Sequence, residues 1–234
     1  MSELVVITGA TGGVGRRLAH RLAERGFSPV IGHRSAKAEE AKQLAAACGG
    51  IAVCLDMADP AAIDAGILRI AEDGRPVAGA VLAASPPPVV APFGKISPEE
   101  HALFWTANVV GPQRLLAGLV RQCFRPRKAG SVVGVLTKAM GSAHLLGGEA
   151  KAMGGLGAYT ISKFGLLGVM SLAAAEFPWL HVASVTPGFI ETDMLNAFDS
   201  RFLDLMRGQQ SFSTVDDVAD EIIERLNLQP ASMT

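Results

Sequence analysis

The chain has 234 residues, 49% of them hydrophobic, and a net charge of −1. This charge argues against a nucleic-acid partner, which normally requires a basic excess. Length and apolar content allow one large α/β domain, and neither a linker nor an internal repeat divides residues 1–234. No apolar run is predicted to span a bilayer, so no membrane partner is expected, and no signal peptide is recognised. Three cysteines without metal-ligand spacing predict reduced thiols, no metal site and a cytoplasmic protein.

Short apolar runs alternate with longer helical patterns along the chain. The predicted strands are Leu4–Thr8, Pro29–His33, Ile51–Leu55, Gly79–Ala83, Ser131–Leu136 and His181–Thr186. The predicted helices cover residues 14–25, 36–47, 60–73, 98–123, 158–176 and 214–227. This alternation predicts an α/β fold: a single Rossmann-type, doubly wound parallel sheet of about six strands with helices on both faces.

A glycine-rich segment follows the first strand and opens a helix. Glycines let the backbone turn sharply there and approach a pyrophosphate at the positive helix N-terminus. The predicted cofactor contacts in this segment are Gly9, Thr11, Gly12, Gly13, Val14 and Gly15. A plain strand-to-helix turn without a ligand is the alternative interpretation.

The ends of the second and third strands indicate which dinucleotide binds. The second strand continues as His33-Arg34-Ser35, with no acid before Glu39 to hold a ribose 2′-hydroxyl. A 2′-phosphate could instead pair with Arg34 and accept hydrogen bonds from Ser35 and Thr11, so NADP(H) is preferred over NAD(H). The alternative is that Arg34 is a solvated surface residue. Asp56, followed by Met57, is placed to accept from the adenine amino group, or else to cap the next helix.

The only tyrosine in the chain, Tyr159, is followed four residues later by Lys163. Such a pair is often mere helix packing, but further motifs accompany it. With the glycine motif, Asp56, Asn108 and Pro187-Gly188, all in the family's order, the sequence resembles the short-chain dehydrogenase/reductase family, classical type.

This resemblance implies roles for the aligned residues. Tyr159 would exchange a proton with the substrate oxygen, and Lys163 would lower the pKa of that phenol and bind the nicotinamide ribose. Asn108 would anchor a water in a proton relay; a helix cap or kink is its alternative. The resemblance also implies cofactor contacts at Ala83, Ala84, Ser85, Pro187, Gly188, Ile190 and Thr192.

Three departures from the family pattern matter. Ala83-Ala84-Ser85-Pro86 replaces the usual Asn-Asn-Ala-Gly, so the tethering of the sheet by asparagine is expected to be lost. Thr137 occupies the place of the catalytic serine at the end of the fifth strand, with Ser142 as its rival; strand ends hold side chains more rigidly, which favours Thr137. The usual final strand is not recognised, so six strands are expected.

Residues 85–97, 138–157 and 189–212 are expected to border the nicotinamide, the last two as substrate-side loops. Their apolar composition predicts a small hydrophobic carbonyl or alcohol substrate. A basic cluster at residues 121–128 would suit an acyl carrier protein, although a solvated helix end is the favoured interpretation. The helices at 98–123 and 158–176 are predicted to form a homodimer, as relatives commonly do.

Taken together, these patterns predict an NADPH-dependent reductase of a ketone, such as a 3-oxoacyl thioester. The alternative is a non-catalytic NADP(H)-binding sensor or scaffold, which the missing serine and asparagines would favour.

Overall fold

A computed structural model describes residues 2–141 and 152–229. The strands are β1 (Leu4–Thr8), β2 (Ser28–His33), β3 (Ile51–Cys54), β4 (Val77–Leu82), β5 (Ser131–Val135) and β6 (His181–Val185). The helices are α1 (Gly13–Glu24), α2 (Ala38–Ala47), α3 (Pro60–Ala71), α4 (Pro98–Trp105), α5 (Gly111–Leu119), α6 (Gly157–Glu176), α7 (Ser200–Gln209) and α8 (Val215–Leu226).

Every predicted strand and helix is present within a few residues of its predicted bounds. The predicted helix at 98–123 consists of α4 and α5, joined and extended by π-helical turns at Thr106–Val110 and Val120–Phe124. Helix α7 was not predicted, because residues 189–212 were interpreted as a loop.

The described strands form one parallel sheet in the order β3-β2-β1-β4-β5-β6. Strands β1, β2 and β4 are buried along their whole length, since helices cover both faces of the sheet. The strand order reverses between β1 and β4, and ligands of such sheets bind in the crevice outside the strand carboxyl ends at this point. The predicted doubly wound fold is confirmed, with six strands in the described residues.

Helix α6 corrects one expectation, because it is long and apolar enough to cross a bilayer by length and composition alone. Core helices of other proteins pass the same test. Here α6 packs against α4, β5 and β6, and it carries three buried polar side chains, Thr160, Ser162 and Lys163. Its apolar character therefore fits a core position in this fold.

Candidate active site

The glycine segment forms a tight turn between β1 and α1. Gly9 has a φ of +68°, a conformation that favours glycine, and the Gly12 N–H donates to its carbonyl oxygen (3.0 Å). A Cβ on Gly15 would lie 2.5 Å from the same oxygen. Helix α1 begins at Gly13, and its N-cap residue, Gly12, has no side chain to cap it, so the amides of the first turn point outward without a competing side chain. This geometry fits a pyrophosphate and favours the phosphate site over a plain turn.

The side chain of Thr8 connects β1 to the segment that follows β4. Its Oγ1 accepts hydrogen bonds from the backbone N–H groups of Ala83 and Ala84, both at 3.0 Å, and donates to the Val81 carbonyl oxygen at 3.3 Å. The asparagine tether is absent, as the sequence indicates, and a threonine hydroxyl provides a different one. One threonine on β1 holds the segment that follows β4, directly at the crevice.

The residues after β2 present an exposed cation at the edge of this crevice. His33 is buried, and its Nδ1 donates to the Arg34 carbonyl oxygen at 3.0 Å. The side chains of Arg34 and Ser35 are exposed. Within residues 2–141 and 152–229, the Arg34 guanidinium forms no ion pair, which leaves it available to an anionic ligand.

Asp56 does not cap the following helix, so that alternative is wrong. The cap of α3 is Asp59, whose Oδ1 accepts from the Ala61 and Ala62 N–H groups at 2.9 and 3.3 Å. Asp56 instead accepts from the Ala58 N–H through Oδ1 at 3.0 Å. Within the described residues its second carboxylate oxygen accepts no hydrogen bond, and the neighbouring Met57 is buried.

Tyr159 and Lys163 lie one turn apart near the start of α6, as their spacing predicts. The Lys163 Nζ lies 5.6 Å from the Tyr159 ring centroid and donates to the Val135 carbonyl oxygen at 2.8 Å. Burial lowers the pKa of Lys163 to about 8. Burial also raises the pKa of Tyr159, and a hydrogen bond with Thr137 opposes that rise. The expectation that Lys163 lowers the phenol pKa is therefore wrong for the protein without ligand: burying a phenolate is costly, and the opposing contribution comes from Thr137.

Thr137 lies two residues beyond the end of β5, beside the phenol. It is buried, and its Oγ1 accepts from the Ala139 N–H at 3.2 Å, which fixes the side chain at the start of a 3₁₀ turn, Lys138–Met140. The hydroxyl hydrogen can be donated to the Tyr159 oxygen, and to a substrate oxygen when one is bound. Its rival Ser142 lies outside the described residues, as does much of the predicted loop 138–157.

Asn108 is fully buried in the π-helical turn between α4 and α5. Its Nδ2 donates to the Ser162 Oγ, which in turn donates to the Tyr159 carbonyl oxygen, both at 2.8 Å. Its Oδ1 has no partner among the described protein groups, which suits a bound water. Ser162 was missed by sequence reasoning, since a serine before a lysine carries no distinctive signal.

The segment after β6 closes over the glycine turn. The Pro187 carbonyl oxygen accepts from the Lys138 N–H at 2.8 Å, and Ser213 N–H donates to the Phe189 carbonyl oxygen at 2.9 Å. A Cβ on Gly13 would lie 2.7 Å from the Thr192 Cγ2. Thr192 therefore lies against Gly13 at the start of α1, whereas Gly188 lies near the side chains of Lys138 and Gln210.

An aromatic cluster fills the substrate side of this segment. Phe189 stacks on Phe212 with ring centroids 5.0 Å apart and meets the edges of Phe198 and Phe202 at 5.5 and 6.0 Å. On the other side, the Ala91 N–H donates to the Gly155 carbonyl oxygen at 2.9 Å, which joins the segments after β4 and before α6. The described part of the crevice border is mainly apolar.

The fold and site together define a dinucleotide-binding oxidoreductase with a tyrosine–lysine pair at the carboxyl end of a parallel sheet. Residues 3–201 match the sequence profile described as short chain dehydrogenase. The chain belongs to this family, whose members use nicotinamide cofactors.

Curated relatives are similar over most of their length. The 3-oxoacyl-(acyl-carrier-protein) reductase FabG of Escherichia coli is 30% identical over 204 residues, covering 83% of this chain and 76% of the relative. MabA of Mycobacterium tuberculosis, also a 3-oxoacyl-(acyl-carrier-protein) reductase, is 27% identical over 208 residues, covering 86% and 74%. A solved NAD⁺-bound xylitol dehydrogenase is 18% identical with a TM-score of 0.82, covering 97% of this chain and 92% of the other. That last likeness shows the fold alone.

Proposed function

We propose that this protein reduces a ketone by hydride transfer from NADPH, with a 3-oxoacyl thioester as the first candidate substrate. The observation that carries the proposal is the meeting of Tyr159, Lys163 and Thr137 at the carboxyl end of β5, across the crevice from the uncapped N-terminus of α1. The oxidation of the alcohol is the same reaction in reverse.

NADPH, when bound, supplies the hydride. The α1 amides and Gly13 would hold its pyrophosphate, and Thr192 would contact its nicotinamide end. Thr137 donates a hydrogen bond to the ketone oxygen and stabilises the charge that develops there. Tyr159 gives its phenolic proton to that oxygen, and Lys163 compensates the charge left on the phenolate. Asn108, held by Ser162, retains a free acceptor that can bind a water and return a proton to this pair.

The preference for the phosphorylated cofactor rests on the charge after β2. Arg34 is an exposed cation where binders of NAD(H) usually place an acid. Its five N–H donors suit a phosphate better than a neutral hydroxyl.

The substrate class rests on the apolar crevice border and on the relatives' names. The aromatic cluster around Phe189 favours an acyl chain over a polar group. The basic residues Arg121, Arg125, Arg127 and Lys128 are exposed, but Arg127 already pairs with Glu3 at 2.8 Å and Arg125 lies over Phe177. We therefore propose the thioester as substrate. The experiment below tests separately whether an acyl carrier protein delivers it.

The test measures NADPH and NADH consumption with 3-oxoacyl thioesters of increasing chain length, free or carried on acyl carrier protein, and with small polar ketones as controls. We expect turnover with NADPH and the longer thioesters. Tight NADPH binding without turnover on any ketone would overturn the enzyme proposal and support a sensor. Turnover confined to polar ketones would overturn the substrate class alone.

Thr137→Ala is expected to reduce kcat about 100-fold, since one oxyanion donor is lost. Its loss should also raise the pKa of Tyr159 further, so the alkaline rise of the oxidation rate should move to higher pH. Thr137→Ser is the matched control and should keep both properties. Full activity in Thr137→Ala together with loss in Ser142→Ala would assign the hydroxyl to Ser142.

The exposed face shared by α4, α5 and α6 supports a homodimer. Five large apolar side chains on α4, on the π-helical turn that joins it to α5, and on α6 are more than a third exposed: Leu103, Trp105, Val110, Phe164 and Leu172. We propose that a second copy covers this face. Leu172→Lys should give a monomer in sedimentation, whereas Leu68→Lys on α3, at a similarly exposed leucine, should not. A wild-type monomer at all accessible concentrations would refute the proposal.

A cytoplasmic location is part of the same proposal. All three cysteines, Cys48, Cys54 and Cys123, are unpaired, as suits a reducing compartment. Burial raises the pKa of Cys48 and Cys123, which keeps these thiols protonated.

A further inference from the structure

One carboxylate, Glu40, holds two cations next to the glycine turn. Its Oε1 pairs with the Arg16 guanidinium from the first turn of α1, and its Oε2 accepts from the Lys37 Nζ at 2.8 Å. The same Arg16 Nη2 lies 3.5 Å from the Thr11 carbonyl oxygen. Glu40 thus connects the first turn of α2 with the glycine turn.

These groups surround the position of the adenosine ribose. In this fold the ribose lies between the end of β2 and the glycine turn. Arg34 directly follows β2, and its carbonyl oxygen accepts from the Lys37 N–H at 2.8 Å, so both cations belong to one turn of chain. Arg16 flanks Thr11 on the other side. Of the three cations, Arg34 is unpaired in the described residues, while Arg16 and Lys37 share Glu40.

A 2′-phosphate and Glu40 would compete for the same donors. The phosphate is an anion with several strong acceptor oxygens, and a carboxylate bound to the same ammonium would lie a few ångströms from it. Like charges at that separation repel, even in a largely solvated setting. A 2′-hydroxyl carries no charge and meets no such repulsion.

We propose that Glu40 is a specificity-determining residue that limits the preference for NADPH over NADH by occupying Arg16 and Lys37. When the 2′-phosphate binds, these two cations turn from the carboxylate to the phosphate. The inference rests on the proposed use of NADPH and assigns the strength of that preference to a residue on α2.

The test is Glu40→Gln, with Kd for NADPH and NADH measured by fluorescence titration on the full chain. We expect NADPH to bind about five- to tenfold more tightly and NADH to change less than about twofold. The gain should shrink with added salt, because these side chains are partly exposed. Glu39→Gln is the matched control: it removes the same charge one residue away, from a carboxylate whose partner is Lys42, and should alter neither Kd by more than about twofold.

An unchanged or weaker NADPH affinity in Glu40→Gln would overturn the inference, because Glu40 would then be indifferent or would position the two cations for the phosphate. An equal gain in Glu39→Gln would also overturn it, since net charge alone would explain the effect. If the wild type bound neither NADPH nor NADH, the proposed function itself would fail, and the two failures are therefore distinguishable.

Discussion

Tyr159→Phe is expected to reduce ketone turnover about a thousandfold while leaving the Kd for NADPH within about threefold of wild type. The change removes only the phenolic oxygen, and general acid catalysis typically contributes 10²–10⁴-fold. The ring keeps its edge-to-face contact with Phe104, whose centroid lies 6.0 Å away, so the fold should be unaffected. NADPH consumption and fluorescence titration measure the two quantities.

The matched control is Phe104→Leu, which changes the packing of the ring but keeps the phenol. It should lower kcat far less than Tyr159→Phe does. If Tyr159→Phe kept more than about a tenth of wild-type turnover, another group would be the proton donor.

Lys163→Met is expected to abolish turnover and to raise the free energy of unfolding by about 2 kcal/mol at neutral pH. The pKa of Lys163 is about 8 in the fold against 10.5 ordinarily, so the buried ammonium costs about 3 kcal/mol below pH 8. Methionine removes that cost. The loss of the hydrogen bond to the Val135 carbonyl oxygen reduces the gain in the free energy of unfolding by about 1 kcal/mol.

The sign of the pH dependence follows from the lowered pKa. Between about pH 8 and 10.5 the unfolded chain binds the proton that folded Lys163 has released, so wild-type stability should gain a contribution as pH rises through this window. That contribution should be missing in Lys163→Met. Urea unfolding of both proteins across the window isolates it, because other alkaline titrations are common to the two.

An exposed lysine provides the control for this effect. Lys42→Met, at a side chain that is 70% exposed, should change the free energy of unfolding by less than about 0.5 kcal/mol. A Lys163→Met protein less stable than wild type at neutral pH would mean that the charged lysine stabilises the fold.

Sequence patterns located most strands and helices, but not the side-chain hydrogen bonds that connect them. The six strands follow from apolar runs, because strands buried on both faces need them. Helix α7 was not predicted, because its residues were interpreted as a loop. Its sequence contains Gly208, and no side chain of the helix is buried, so no periodic apolar face marks it. The Thr8 tether and the Asp59 cap were missed for another reason, since side-chain hydrogen bonds depend on distances that residue types do not encode.

In the candidate site, too, some residues could be predicted from the sequence and others could not. Gly9 and Gly15 were predictable, since a turn with positive φ and close backbone contact admits only glycine. Ser162 was not, because it acts through a hydrogen bond to Asn108, 54 residues away in the chain.

By itself, the sequence determined the family, the glycine turn and the spacing of Tyr159 and Lys163, because these depend on local periodicity and on residue order. Only the tertiary structure decided the electrostatics. Burial sets the pKa of Lys163 near 8 and raises that of Tyr159, and α2 brings Glu40 to Arg16. Desolvation and charge pairing arise between segments distant in the chain, so they exist only once the sheet and its helices have packed.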